Sequence, residues 1–182
     1  SPGVQVYPEF IVTFSYKVDI ALKKKILIEI RMGAKEAFVA LRDACDDLKN
    51  DGEVVLAAVA QNGLALQFAF DGLKGFAEVV HAAVAQNWGA LKFASDEFKA
   101  NPDFVLLAVA QNGRALKYAC AALRADHDFI LAVVVQNGLA LRYASDELKK
   151  DRDVVFVAVA QNGLALQFAF DGLKGFAEVV HA

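Results

Sequence analysis

The stretch VAQNGLALQFAFDGLKGFAEVVHA occurs twice in the sequence, at residues 59–82 and again at residues 159–182. The distance between the two copies is four times a shorter period, because the dipeptide Gln-Asn returns every 25 residues, at positions 61, 86, 111, 136 and 161. A fixed internal period of this size is typical of proteins that stack similar structural units. The sequence therefore predicts a repeat protein with five full repeats over residues 51–175 and half repeats at both ends.

Each repeat is predicted to contain two short helices. The first begins at a residue such as Asp51 or Asn101, whose side chain can accept hydrogen bonds from the first turn. It ends at a glycine such as Gly63, where we expect a left-handed residue. The first helix is apolar on nearly every side, which indicates an inner helix with cover from several directions. The second helix, ALQFAFDGLK at residues 65–74, has one apolar and one polar face.

Stacking explains how such short helices become stable. Isolated helices of fewer than about 12–15 residues are marginal in water. When repeats pack side by side, each one covers the apolar surface of the next. The predicted fold is therefore mainly α, an α-solenoid of two-helix repeats over residues 34–182. We expect the array to continue beyond Ala182, or another molecule to cover it there.

Residues 1–33 depart from the 25-residue period. Apolar and polar side chains alternate from Glu9 to Ile20, and again at Ile26, Ile28 and Ile30. Alternation with a period of two is typical of a strand with one buried face. We predict a β-hairpin that caps the first helices, since an uncapped solenoid exposes apolar surface at its end.

Composition restricts the class of protein. Hydrophobic residues make up 57% of the chain, which excludes a disordered protein. Gln-Asn-Gly interrupts the longest apolar runs well before the ~20 residues of a membrane span, so no transmembrane segment is predicted. The net charge is -3 and the basic residues are evenly spread, so nucleic acid is not an expected partner. Two cysteines provide no disulfide framework, which suits an intracellular compartment.

The segment DHDFILAVVVQNGLALRYASDELKK, residues 126–150, and its recurring QNG-x-AL core resemble the tandem repeats of the domain of unknown function 4116 family. The resemblance extends from Ala34 to Ala182. The family is known from unicellular algae and some intracellular bacteria, and it implies no catalytic residues that could be transferred. Its algal occurrence and the apolar composition support one alternative function. This is a structural or linker subunit of a large algal membrane assembly, such as a photosystem with its antenna in the chloroplast.

The Gln-Asn pair of each repeat could bind a ligand or satisfy backbone groups. An amide at a helix end can bond the open carbonyl and N–H groups of its own or the next repeat. We predict this structural role for all ten amides. They are Gln61, Asn62, Gln86, Asn87, Gln111, Asn112, Gln136, Asn137, Gln161 and Asn162.

Candidate ligands for metals and pigments are few. Acidic pairs such as Asp126 with Asp128 lack the loop glycine and closing glutamate of a calcium site, so we predict no metal and no cofactor. His81 and His181 replace an aliphatic residue on first helices, and they are the candidate pigment or haem ligands. The alternative is that both are ordinary residues at the edge of a groove. No serine or cysteine is placed with a base and an orienting acid, so we predict that the protein is not an enzyme.

Aromatic residues at outward positions are the strongest functional signal. Ser95 and Ser145 occupy a position that carries phenylalanine in the duplicated repeats, and phenylalanine also replaces the capping aspartate there. Clustered exposed aromatics mark contact surfaces, whereas tighter packing between repeats is the alternative. We predict a protein-binding or scaffolding module; a further alternative is a non-catalytic part of an effector or enzyme. The predicted contact residues are Phe70, Phe76, Trp88, Phe170 and Phe176.

Overall fold

The computed structural model describes residues 19–177. Within this range the chain is mainly helical and contains no strand. It divides into two compact units, with the boundary between Ala90 and Leu91. The prediction of a mainly α fold is confirmed.

The helices follow one another with short connections. In the first unit they are α1 (Ile20–Arg31), α2 (Ala34–Asp43), α3 (Asp46–Lys49), α4 (Gly52–Gln61), the 3-10 helix Gly63–Phe68, α5 (Asp71–Lys74) and α6 (Ala77–Gln86). The 3-10 helix Trp88–Phe93 contains the boundary. In the second unit they are α7 (Asp96–Ala100), α8 (Pro102–Gln111), the 3-10 helix Gly113–Tyr118, α9 (Ala121–Ala125), α10 (His127–Gln136), the 3-10 helix Gly138–Tyr143, α11 (Arg152–Gln161), the 3-10 helix Gly163–Phe168 and α12 (Asp171–Ala177).

The predicted single second helix is wrong. After its first helix, each full repeat forms a 3-10 helix of six residues, then two extended residues, then a short helix or turn. The break in the first full repeat falls at Ala69 and Phe70, with ψ angles of 150° and 153°. There the N–H of Phe70 donates to the carbonyl of Lys49 in the preceding repeat, at 3.2 Å. A continuous helix would use that N–H internally, so the bond between repeats favours the break.

The glycine of Gln-Asn-Gly does not adopt the predicted left-handed conformation. Among residues 19–177 only Gly33, outside this motif, has a positive φ. A Cβ built on Gly63 would overlap the carbonyl oxygen of Ala83 in α6, and one built on Gly138 would overlap that of Ala158 in α11. The motif therefore needs glycine because the first helix of the next repeat passes directly against its backbone.

The core forms between successive repeats. Helix α4 buries Val54, Val55, Ala58 and Val59, and each later first helix buries the same four positions. Successive first helices pack on each other within a unit, as α4 does on α6 and α10 does on α11. Each repeat thus obtains most of its apolar cover from its neighbours, which is the arrangement that short helices require.

The predicted second strand of the N-terminal hairpin is wrong, because Ile26, Ile28 and Ile30 lie in α1. Ile26 and Ile30, one helical turn apart, are only 4% and 0% exposed, whereas Ile28 is 62% exposed. All three positions fit a period of two, but Ile26 and Ile30 also fit one buried stripe of a helix. Packing of α1 against α2 and α4 favours the helix. The strand predicted from Glu9 to Ile20 lies outside the described residues, apart from its last two residues, where Asp19 caps α1.

Lys23 joins α1 to the start of α4. Its ammonium lies 2.8 Å from a carboxylate oxygen of Asp51 and 2.8 Å from one of Glu53. Asp51 also caps α4 by accepting hydrogen bonds from the first turn. Burial lowers the pKa of Lys23, but the hydrogen bonds and charges of Asp51 and Glu53 outweigh it, so this pKa lies above its ordinary value of 10.5.

We expect Lys23→Met to lower the free energy of unfolding by about 1 kcal/mol at neutral pH, because the carboxylates lose their partner. A raised pKa means that the ammonium contributes fully below pH 10.5 and that its contribution disappears as the pH rises past the raised value. Urea unfolding of wild type and variant from neutral to strongly alkaline pH measures the difference. Lys24→Met is the matched control. A difference that persists unchanged at alkaline pH would contradict this role.

We expect Gly63→Ala to destabilise the protein by about 3 kcal/mol or more, because its new methyl group meets the backbone of α6. Gly72→Ala is the matched control, since a Cβ there meets nothing within 4 Å. That change should leave stability unchanged or raise it by about 0.5–1 kcal/mol. Denaturant unfolding followed by circular dichroism compares the two variants, and equal effects would refute the close approach.

Candidate binding surface

Phe70 and Phe76 stand at the N-caps of two successive helices, α5 and α6, and neither side chain makes a capping hydrogen bond. Their side chains are 44% and 48% exposed. The one-turn helix between them keeps their backbones within roughly 10 Å of each other. The two partly exposed residues therefore lie close together in the first unit, and they are called here the Phe70/Phe76 patch.

Several other repeats place a side-chain cap at one or both of these positions, although Ser95, at the position of residue 70, makes no capping hydrogen bond. At the position of residue 76, Asn101 and Asp126 each accept a hydrogen bond from the N–H three residues on, at 3.0 and 2.8 Å. At the position of residue 70, Cys120 and Ser145 accept the corresponding bond at 3.4 Å. Loss of a helix cap costs about 1 kcal/mol. The repeat that carries the patch thus lacks both caps, and the rings that replace them are only about half buried.

The remaining predicted contact residues are placed differently. Phe170, which directly precedes α12, is 55% exposed, and the Lys150 ammonium lies 5.7 Å from the centre of its ring. Trp88 starts a 3-10 helix and is half-buried. The side chain of Phe176 lies outside the described part of the structure. Phe70 and Phe76 are thus the predicted pair that the structure describes close together.

Glutamine side chains join successive repeats. Gln86 accepts a hydrogen bond from the N–H of Gly63 at 2.6 Å and donates one to the carbonyl of Gln61 at 3.3 Å. Gln161 makes the same two bonds to the repeat before it, at 2.6 and 3.5 Å. A helix end leaves such backbone groups without partners inside the helix. The glutamine of one repeat therefore satisfies the end of the preceding first helix.

Asparagine side chains start the 3-10 helices. Each Oδ1 accepts a hydrogen bond from the N–H two residues on, at 2.8 to 3.1 Å; these residues are Asn62, Asn87, Asn112, Asn137 and Asn162. The amide nitrogen of Asn62 also donates to the carbonyl of Ala34 at 3.2 Å. The amides in these bonds are engaged with the backbone of the repeats themselves.

Of the two candidate pigment ligands, only one lies among the described residues. His81 is exposed on α6, and His181 lies outside the described residues. Between residues 19 and 177, no group of three or more His, Cys, Asp or Glu side chains is placed to hold a metal ion. In the same range, every helix is too short or too polar to cross a membrane. The role of His81 as a pigment ligand stays a prediction.

The first helices, predicted to be inner helices with cover from several directions, are covered on one face only. Each buries one face and leaves the other open. In the second unit, Leu107 of α8, Val135 of α10 and Phe156 of α11 are 43%, 60% and 57% exposed. Comparison of the repeats could have revealed this open face. Among the repeats, its positions 56, 57 and 60 carry Ala, Val, Leu, His or Phe, whereas the buried positions carry only Ala, Val, Ile or Phe.

Comparison with protein families supports the relationship that the repeat motif suggested. The family model described as Domain of unknown function (DUF4116) matches residues 35–74, 78–124 and 126–174. The three matches follow each other in tandem, and the second and third each span nearly two 25-residue repeats. The resemblance is thereby confirmed. No curated protein and no solved structure gives a significant match.

We expect Gln86→Met to lower the free energy of unfolding by about 1–2 kcal/mol, because it leaves the buried N–H of Gly63 without its acceptor. Hydrogen exchange at the Gly63 amide should become faster in the same variant. Gln67→Met is the control, since Gln67 bonds only the carbonyl of Leu64 in its own repeat among the bonds described. Equal losses for the two variants, or unchanged exchange at Gly63, would show that the bond between repeats contributes nothing particular.

Proposed function

Because the chain belongs to the domain of unknown function 4116 family, whose tandem matches cover most of it, we propose a function from its own surface. The protein is a non-enzymatic module that binds or scaffolds other proteins. The observation that carries this proposal is the Phe70/Phe76 patch, where half-exposed rings occupy two helix N-caps. Neither ring makes a capping hydrogen bond, and about half of each residue stays open to solvent. Contact with another molecule accounts for both.

The size of the rings supports a protein contact. A phenylalanine buries about 150–250 Å² when fully covered, so the open half of each ring is worth roughly 2 kcal/mol on binding. Two such rings are sufficient for the anchor residues of an interface, although a stable interface covers about 800 Å² on each partner. Lys74, paired with Asp71 at 3.0 Å, supplies a polar neighbour at the rim of the patch.

We also propose that the repeats of each unit are segments of an α-solenoid. The 25-residue period and the packing of successive first helices support this arrangement. Side-by-side repeats present a series of equivalent surface positions, and such extended surfaces suit the binding of partners. A scaffold depends on such an extended surface and needs no catalytic side chain.

The variant Phe70→Ser with Phe76→Asp gives the patch the residue types that cap other repeats. We expect it to keep its helix content and to melt at the same or a higher temperature, because two caps are restored. To detect the partner, photoreactive benzoylphenylalanine replaces Phe70 in the full chain, and crosslinked products from the native cell are identified by mass spectrometry. We expect one defined protein, and its loss when Phe76→Asp is added.

The same photoreactive residue at position 32 is the control, since Met32 is 73% exposed and is the C-cap residue of α1 in the first unit. Equal products from positions 70 and 32 would mean that the patch has no specific partner. A fall in melting temperature of the Phe70→Ser, Phe76→Asp variant would mean that the rings belong to the core.

A further inference from the structure

A second exposed apolar surface lies on the first helices of the second unit, called here the unit-two helix face. It is formed by Leu107 of α8, Val135 of α10 and Phe156 of α11. These helices pack in chain order, α8 beside α10 and α10 beside α11. The three side chains occupy repeat positions 57, 60 and 56. Position 60 is three residues from 57 and four from 56, and 56 and 57 are about 100° apart, so all three lie on one side of a helix. The face therefore runs across three neighbouring helices.

The equivalent positions of the first unit are smaller or polar. They carry Ala57, Ala60, Ala82 and Ala85, and the residues that stand where Phe156 stands in the second unit are His81 and the half-buried Leu56. Large exposed apolar residues on first helices are thus concentrated in the second unit. Both units have the same buried positions, so this difference does not follow from the packing of the core.

An acidic rim borders the unit-two helix face at the N-terminal ends of the same helices. Its carboxylates are Asp103, Asp126, Asp128, Asp151 and Asp153. Arg152 and His127 lie among them, so five carboxylates and one guanidinium give a net charge of -4 with the histidine neutral. Three helix dipoles contribute about half a positive charge each, which reduces this charge without cancelling it. Asp103, Asp128 and Asp153 are all exposed.

We infer that the unit-two helix face binds a basic amphipathic helix of a partner protein. The apolar side of that helix covers Leu107, Val135 and Phe156, and its basic flank faces the acidic rim. Packed neighbouring helices are about 8–10 Å apart, and two turns of an α-helix rise about 10 Å. A partner helix that lies across α8, α10 and α11 therefore passes from one of these helices to the next about every seven of its own residues. Each helix it crosses presents its own carboxylates. Lysine or arginine at i, i+7 and i+14 matches Asp103, Asp128 and Asp153.

The charge of the rim also decides between two kinds of partner. An anionic membrane surface attracts basic segments and repels carboxylates. A protein helix with lysine along one flank gains from the rim, whereas a leaflet of anionic lipid is repelled by it. The observations thus favour the protein helix.

The test uses a synthetic 18-residue amphipathic helix with leucines on one face and lysines at i, i+7 and i+14 on the adjoining flank. Its affinity for the full chain is measured by fluorescence anisotropy at low and moderate salt. A peptide with glutamate in place of the three lysines is the matched control. We expect the lysine peptide to bind at least tenfold more tightly, and salt to weaken its binding.

Substitutions drawn from the other repeats test the apolar contact. Leu107→Ala, Val135→Ala and Phe156→Leu introduce residues that other repeats carry at these positions, so the fold should persist. We expect the triple variant to bind the lysine peptide at least tenfold more weakly. Met32→Ala with Ile28→Ala removes exposed apolar side chains from α1 and should leave the affinity unchanged.

Substitution of three aspartates tests the rim. Asp103→Asn, Asp128→Asn and Asp153→Asn together should weaken the lysine peptide and remove most of its dependence on salt. The control removes three exposed carboxylates elsewhere in the same unit; these changes are Asp96→Asn, Asp146→Asn and Glu147→Gln. We expect the control to bind as wild type does.

Three outcomes would overturn the inference: equal binding of the two peptides, equal binding by wild type and the apolar triple variant, or stronger binding to vesicles of anionic lipid than to the lysine peptide. The Phe70→Ser, Phe76→Asp variant should bind the lysine peptide like wild type, because its changes lie in the first unit. The inference and the proposed function can therefore fail separately.

Discussion

The structure of the repeats depends on one close approach. The carbonyl oxygen of Ala83 passes so near Gly63 that no side chain fits between them. The same approach brings Gln86 within 2.6 Å of the Gly63 N–H, so the end of one first helix is satisfied by the next repeat. Gly138 repeats the arrangement in the second unit. The glycine and glutamine of this motif therefore form a joint between repeats at Gly63 and Gly138.

The duplicated sequence shows how much of the burial comes from the neighbour. Gly63, which α6 covers, is buried, whereas Gly163 in the identical stretch is exposed. Leu164 is 66% exposed, whereas its counterpart Leu64 is half-buried. The described residues end at 177, and among them no later first helix packs against Gly163. Identical residues thus differ in burial because their surroundings differ, as expected where repeats are stabilised by contacts with their neighbours.

Local chemistry made part of the fold predictable. Asp51, Asn101 and Asp126 cap first helices in the structure as their positions predicted, because an N-cap depends on residues within one turn. The break at residues 69–70 was not predictable in this way, since it depends on a bond from Phe70 to Lys49 in another repeat. The local sequence around Phe70 does not show that its N–H bonds a carbonyl of the preceding repeat.

Two other predictions were wrong because one sequence pattern is compatible with two different structures. Isoleucines at 26, 28 and 30 suit a strand, yet Ile26 and Ile30 also lie one turn apart on a helix. Glycine after a helix suits a left-handed cap, yet Gly63 is needed for close packing. For the candidate site, the sequence identified Phe70 and Phe76 because they differ from other repeats. It missed the unit-two helix face, since apolar residues on an apolar helix suggest burial until the exposed side is known.

Both proposed surfaces use positions that the joint between repeats leaves free. The joint and the core require glycine at 63, glutamine at 86 and small or branched apolar residues at the four buried positions of each first helix. They require nothing at the N-caps beyond a modest contribution to stability, and nothing on the open face of the first helix. Because the costs at these positions are near 1 kcal/mol each, a repeat protein can change them without losing its fold. The large rings of Phe70, Phe76 and Phe156 are therefore compatible with the fold and remain available for the proposed contacts.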